Sequence, residues 1–138
     1  MRSIALRLQE TSSLMKREFE RVAKPHGLTL TQWRVIGELS RTGAMRQVEL
    51  GSAINASAMT VSDVADRLEA AGLVVRGVDP LDGRAKTVEL SPQGREKLVR
   101  MREISAGVFD KALAGIAPSD IEAMTRALAR IVENLEDR

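Results

Sequence analysis

The run Leu73-Val74-Val75-Arg76-Gly77-Val78-Asp79-Pro80-Leu81-Asp82-Gly83-Arg84-Ala85-Lys86-Thr87-Val88-Glu89-Leu90-Ser91-Pro92 decides the fold class. Its opening, Leu73–Val78, is short and β-branched. Thr87-Val88-Glu89-Leu90 alternates polar and apolar, the period of a half-buried strand. The octet Asp79–Lys86 between them is rich in turn formers. The pattern predicts a β-hairpin with a long tip that carries Arg84 and Lys86. Ser91-Pro92 then restarts a helix, with serine as the cap and proline in the first turn.

Helical spacing surrounds this hairpin. Upstream, Val61, Val64, Ala65 and Leu68 fall at i, i+3, i+4 and i+7, on a helix capped by Ser57 and closed by Gly72. A shorter helix, from about Arg46 to Ile54, precedes it and ends at Asn55-Ala56. Asparagine tolerates the left-handed backbone of a sharp corner better than most residues. Two helices joined at such a corner form a helix-turn-helix, and the hairpin makes it winged. Thr29-Leu30-Thr31-Gln32 has the form of a capping box and opens a helix to about Arg41. Leu30, Trp33, Val35, Ile36 and Leu39 spread around that helix, as on an inner element.

The outer helices are longer and amphipathic. Ile4, Leu8, Thr11, Met15, Phe19 and Val22 share one face, ending at Lys24-Pro25-His26-Gly27, where proline excludes helix at the residue before it. Leu98, Met101, Ser105, Val108 and Ala112 line the helix after Ser91-Pro92. Ile121, Met124, Leu128, Ile131 and Leu135 line the last one, which a second capping box, Ser119-x-x-Glu122, is expected to open. The expected fold class is mainly α with a small β-hairpin: a winged helix-turn-helix lobe at about 30–92, with dimerisation helices at about 1–24 and 92–138, in a single domain 1–138.

With 138 residues there is no room for a second independent core. Aromatic residues are only 2%, so the core must be aliphatic. The chain has no cysteine and one histidine, which excludes disulfides, thiol redox sensing and most zinc sites. Neither a Gly-rich phosphate loop nor a set of catalytic groups is present, so no enzyme activity, cofactor or metal is expected. No apolar run approaches a membrane span and the N-terminus opens no signal peptide, which points to the cytoplasm, at the nucleoid when the protein is bound to DNA. Charge is uneven: residues 1–40 carry a net +3, residues 41–102 a net +2 and residues 103–138 a net −3. A basic front suits a polyanion.

The stretches Gln47–Leu50, Asp66–Arg76 and Asp79–Gly94, with Leu28–Val35 ahead of them, resemble the MarR family of bacterial winged helix-turn-helix transcriptional regulators. The Asp82-Gly83-Arg84 wing followed by a strand and Ser91-Pro92-Gln93-Gly94 carries most of the likeness. The resemblance implies a homodimeric repressor or activator on a pseudo-palindromic site in double-stranded DNA, with the first helix and the last two at the dimer interface. It also implies a small aromatic or phenolic effector held between the lobes. Three positions depart from the family pattern. Gly51 stands where alanine is usual, at an expected cost of ~1 kcal/mol to its helix; Asn55 stands where glycine is usual; Asp63 stands where a basic or polar residue is usual.

Candidate sites follow from the motif and the resemblance together. The helix after the corner enters the major groove by its N-terminal end, which offers Ser57, Met59, Thr60, Ser62 and Asp63 to DNA. Arg46 and Gln47 begin the helix that crosses the phosphate backbone. Arg84 matches the family's wing arginine that enters the minor groove, Lys86 lies beside it, and Asp82 matches the residue that steadies the wing. Phe19 and Trp33 are candidates for an effector crevice. Ile4, Leu8, Met15, Ile121, Met124, Leu128, Ile131 and Leu135 are candidates for the dimer interface. The competing reading is a winged-helix dimer that binds proteins and has no operator. His26 is expected to be an exposed turn residue, and Lys97 part of a solvated helix face.

Overall fold

The computed structural model describes residues 3–136, so the outer ends of the two segments expected to dimerise, residues 1–2 and 137–138, lie outside it. The order is α1 (Ile4–Ala23), a 3-10 turn (Lys24–His26), α2 (Leu30–Thr42), β1 (Met45–Arg46), α3 (Gln47–Ile54), α4 (Ala58–Ala70), β2 (Val74–Asp79), β3 (Asp82–Leu90), α5 (Pro92–Ala112) and α6 (Pro118–Glu136). The expected class holds: helices with a small sheet and a winged helix-turn-helix made by α3, α4, β2 and β3. Among the described residues no helix is long and apolar enough to cross a membrane.

Local chemistry sets most of the boundaries. Thr29 Oγ1 accepts from the Gln32 amide at 3.1 Å and Gln32 Oε1 accepts from the Thr29 amide at 2.9 Å, the reciprocal capping box. Asn55 is left-handed at φ 54° and turns the chain from α3 into α4. Gly72, at φ +77°, closes α4: its amide donates to Glu69 and the Leu73 amide to Leu68, the paired bonds of a Schellman end. At the other end of the wing Ser91 Oγ donates to the Gly72 carbonyl at 2.6 Å and accepts from the Gly94 amide at 3.0 Å. One hydroxyl thus ties the start of α5 to the end of α4.

Expectations about the sheet, the wing turn, one glycine and the last helix need correction. The sheet has a third strand: β1 pairs antiparallel with β3, Met45 opposite Val88 and Arg46 opposite Thr87, giving the order β1-β3-β2. Two residues make too short a run for alternation to reveal. The hairpin tip is also short. Asp79 faces Asp82 across a two-residue turn, Pro80-Leu81, and the other turn formers belong to β3. Between the pairs Val78–Lys86 and Asp79–Asp82, the residues Gly83, Arg84 and Ala85 have no partner on β2 and form a bulge. Gly51 is no weak substitute for alanine. A Cβ there would lie 3.0 Å from the Ala56 carbonyl oxygen and 3.3 Å from Val61 Cγ2, so the close corner between α3 and α4 favours glycine. Finally, α6 begins at Pro118, which puts Ser119 inside the first turn and not at the cap.

The chain forms two compact units, through Ala106 and from Gly107 onward. The core of the first is aliphatic, as the composition required: Val35, Ile36 and Leu39 of α2, Leu50 and Ile54 of α3, Val61, Val64, Ala65 and Leu68 of α4, Val74 and Val88 of the sheet, and Met101 of α5. Trp33 packs on its margin, with Phe19 edge-on at a ring separation of 5.7 Å. His26 is half-buried where an exposed residue was expected, and its carbonyl accepts from Lys97 Nζ at 3.0 Å, which takes Lys97 out of the solvated face. The second unit contains the end of α5, a turn at Gly115 and α6, whose side chains include none that is buried.

Candidate nucleic-acid interface

The bulge places Arg84 outside the regular ladder of β3, and both Arg84 and Lys86 are exposed. A bulge bends its strand and re-aims the side chains on it. The Asp82 carboxylate accepts from the Arg84 amide at 3.0 Å, so the acidic residue fixes the backbone at the arginine itself. A cleft of about 460 Å³ runs between this strand and the start of α3, lined by Arg46, Gln47, Val48, Glu49, Asp82, Arg84, Ala85 and Lys86. Five residues singled out in the sequence therefore meet in one place: Arg46, Gln47, Asp82, Arg84 and Lys86. Within it Gln47 Oε1 is sheltered from solvent without a hydrogen-bond partner.

The wing turn is also held by an ion pair that the sequence reading did not foresee. Arg46 Nε donates to Asp79 Oδ2, joining the residue before α3 to the wing turn. Asp79 Oδ1 also accepts from the Leu81 amide at 2.9 Å. These two bonds, the amide first, hold the Asp79 carboxyl below its ordinary range, and the carboxylate in turn raises Arg46. On the opposite side Arg76 of β2 donates to Asp66 Oδ1 and to the Ser62 carbonyl of α4. The separation of 33 positions between Arg46 and Asp79 leaves no local pattern to find the pair by. Turn chemistry at Asp79 was the one available hint.

The Asp79 tie gives a pH expectation. The bonded form is the ionised one, so the tie is present above the ordinary carboxylate pKa of about 3.9 and is lost as pH falls through the lowered value. Asp79→Ala removes both acceptors at neutral pH. Hydrogen exchange of the Leu81 amide should accelerate, while the melting temperature barely moves, because a part-exposed pair contributes little to global stability. An unchanged exchange rate would show that the turn holds without the carboxylate.

The remaining candidates sit on α4 and apart from the cleft. Ser57 Oγ caps the helix by accepting from the Thr60 amide at 3.1 Å and donates to Thr60 Oγ1 at 2.9 Å. Met59 is exposed, Ser62 half-buried, and Asp63 lies 3.5 Å from Arg67. Phe19 and Trp33 are both half-buried in their edge-to-face pair. Of the candidate interface residues, Ile4, Leu8, Met124, Leu128, Ile131 and Leu135 are exposed in the single chain, and Met15 and Ile121 are partly covered. Leu6 and Leu14 of α1 and Val132 of α6 are exposed as well, although the helical stripes omitted them.

Known proteins resemble this arrangement. A model of the MarR family matches residues 26–85. The HTH-type transcriptional repressor IacR of Pseudomonas putida is 27% identical over 117 residues, 85% of this chain and 70% of that protein. A crystal structure of a probable transcriptional regulator from Pseudomonas aeruginosa superposes with a TM-score of 0.81 at 32% identity, covering 94% of this chain and 96% of that one. Bordetella bronchiseptica BpsR, whose DNA binding is regulated by 6-hydroxynicotinic acid, superposes with a TM-score of 0.80 at 26% identity, over 91% of this chain and 95% of its own.

Proposed function

This chain belongs to the MarR family of transcriptional regulators, and from that premise we propose that it is a homodimeric repressor that binds a pseudo-palindromic operator and is released by a small aromatic effector. It is a regulator and not an enzyme. The observation that carries the operator reading is the exposed Arg84–Lys86 pair on the bulged wing strand, across a cleft from the first turn of α3. In a helix-turn-helix that turn crosses the phosphate backbone and the following helix enters the major groove. A cationic wing beside it then reaches the adjoining phosphates or minor groove. Asp82 and Asp79 hold the wing for this task.

The dimer reading rests on the exposed apolar faces of α1 and α6, which a second copy would cover. The effector reading rests on the Phe19–Trp33 pair, an aromatic surface of the kind that stacks on a flat anion. Ligand control of a structural neighbour, BpsR, supports it.

Duplexes recovered from a random DNA pool test the proposal. Two half-sites about 10 bp apart are expected, with affinity falling steeply as salt rises. Arg84→Ala should weaken binding about tenfold or more and lower the slope of log affinity against log salt by about one per protomer, with folding unchanged. A flat salt response, or normal binding by the variant, would refute the wing's role, and recovery of no duplex would favour a winged helix that binds proteins.

A further inference from the structure

The outer face of α4 is poor in groups that read bases by paired hydrogen bonds. From Ser57 to Ala65 it has no Arg, Lys, Asn or Gln, the side chains that make bidentate contacts with guanine or adenine. Its hydroxyls are engaged: Ser57 and Thr60 bond each other in the cap, and Ser62 is half-buried. Its carboxylates face cations, Asp63 opposite Arg67 and Asp66 opposite Arg76. Met59 stands apart. It lies in the first turn of the helix, shares the outward stripe with Asp63 and Asp66, and is 82% exposed. Arg67 is eight residues further on, about 12 Å along the axis and beyond the end that meets base edges.

We propose that Met59 is a specificity-determining residue that reads the 5-methyl group of thymine in the major groove. The inference rests on the operator reading above and deepens it. The thymine methyl is the apolar group a base pair presents in that groove, and Met59 is the flexible apolar side chain at the matching end of the helix. The side chains of the helix, Asp63, Asp66 and Glu69 against Arg67, carry a net negative charge and add no attraction for phosphate. Affinity then comes from the wing, and discrimination from shape and apolar contact on α4. Operators chosen by this protein contain a thymine at one fixed position in each half-site.

The test uses the full chain and the duplexes recovered from a random pool, each thymine replaced in turn by uracil. The change deletes the methyl and leaves the hydrogen-bonding edge intact. At one thymine per half-site the affinity should fall about fourfold, the effect of removing one buried methylene-sized group. Met59→Ala should bind thymine and uracil duplexes equally, with an unaltered salt slope, and Met59→Leu should keep the preference. Indifference to uracil at every position, or full thymine preference in Met59→Ala, overturns the assignment while leaving operator binding intact. Recovery of no duplex at all overturns the operator reading, and this one with it.

Discussion

Gly94→Ala is expected to destabilise the protein by about 3 kcal/mol or more, beyond the usual range for an overpacked core position. Gly94 lies in the first turn of α5, where a Cβ would fall 2.0 Å from the Leu73 carbonyl oxygen and 3.1 Å from Leu90 Cδ2. The first obstacle is backbone, so no rotamer change relieves it. Separating α5 from the β2 end of the wing would also break the Ser91 hydroxyl bond to Gly72. The melting temperature should fall by about 10 °C. Gly107→Ala is the control: it sits in the same helix with nothing within 4 Å of the added Cβ, so it should be neutral or stabilise by up to ~1 kcal/mol. Equal melting curves for the two variants would mean that α5 moves away at no cost.

Leu128→Glu is expected to reduce operator affinity by ~10²–10⁴ although nothing places residue 128 near DNA. Leu128 is 42% exposed in the single chain, on a helix with no buried side chain, between Met124 and Ile131 on the same stripe. A partner copy that covers this face gains ~1.5–3 kcal/mol for each aliphatic side chain fully buried, and a carboxylate there would have to be desolvated. Two linked lobes bind the second half-site as an intramolecular event, and that advantage disappears in a monomer. Sedimentation should show the variant as a monomer, and circular dichroism should show that its helices persist. It should still bind a single half-site as weakly as one lobe does. A dimeric variant, or tight binding by a monomer, would refute the proposed interface.

What was legible in the sequence is what a few neighbouring residues decide by themselves. Thr29 and Gln32 form their box because both partners lie within one turn. Ser57, Asn55 and Gly72 mark their corners by intrinsic backbone preference, and the apolar spacing of Val61 to Leu68 fixes which side of α4 is buried. Misreadings began where distant residues meet. β1 exists because Met45 and Arg46 find β3 some 40 residues later. Asp79–Lys86 read as a loop because Asp and Gly favour turns, whereas here they also populate a bulge. At the candidate interface, Arg84 and Lys86 were found by their position in a motif. The ties that orient them, Arg46 to Asp79 and Arg76 to Asp66, depend on tertiary proximity that no spacing encodes.

The short pairing of β1 with β3 makes the backbone just before α3 part of the same ladder as the wing, while Arg76 fastens the outer strand to α4. Wing and helix-turn-helix are thereby geared together, with few internal degrees of freedom between them. A ligand that switches such a reading head gains little leverage by bending it. In the proposed dimer the soft coordinate left to it would be the separation of the two heads, and because DNA repeats every 10 bp or so, a small change in that separation would put both heads out of phase with the groove at once.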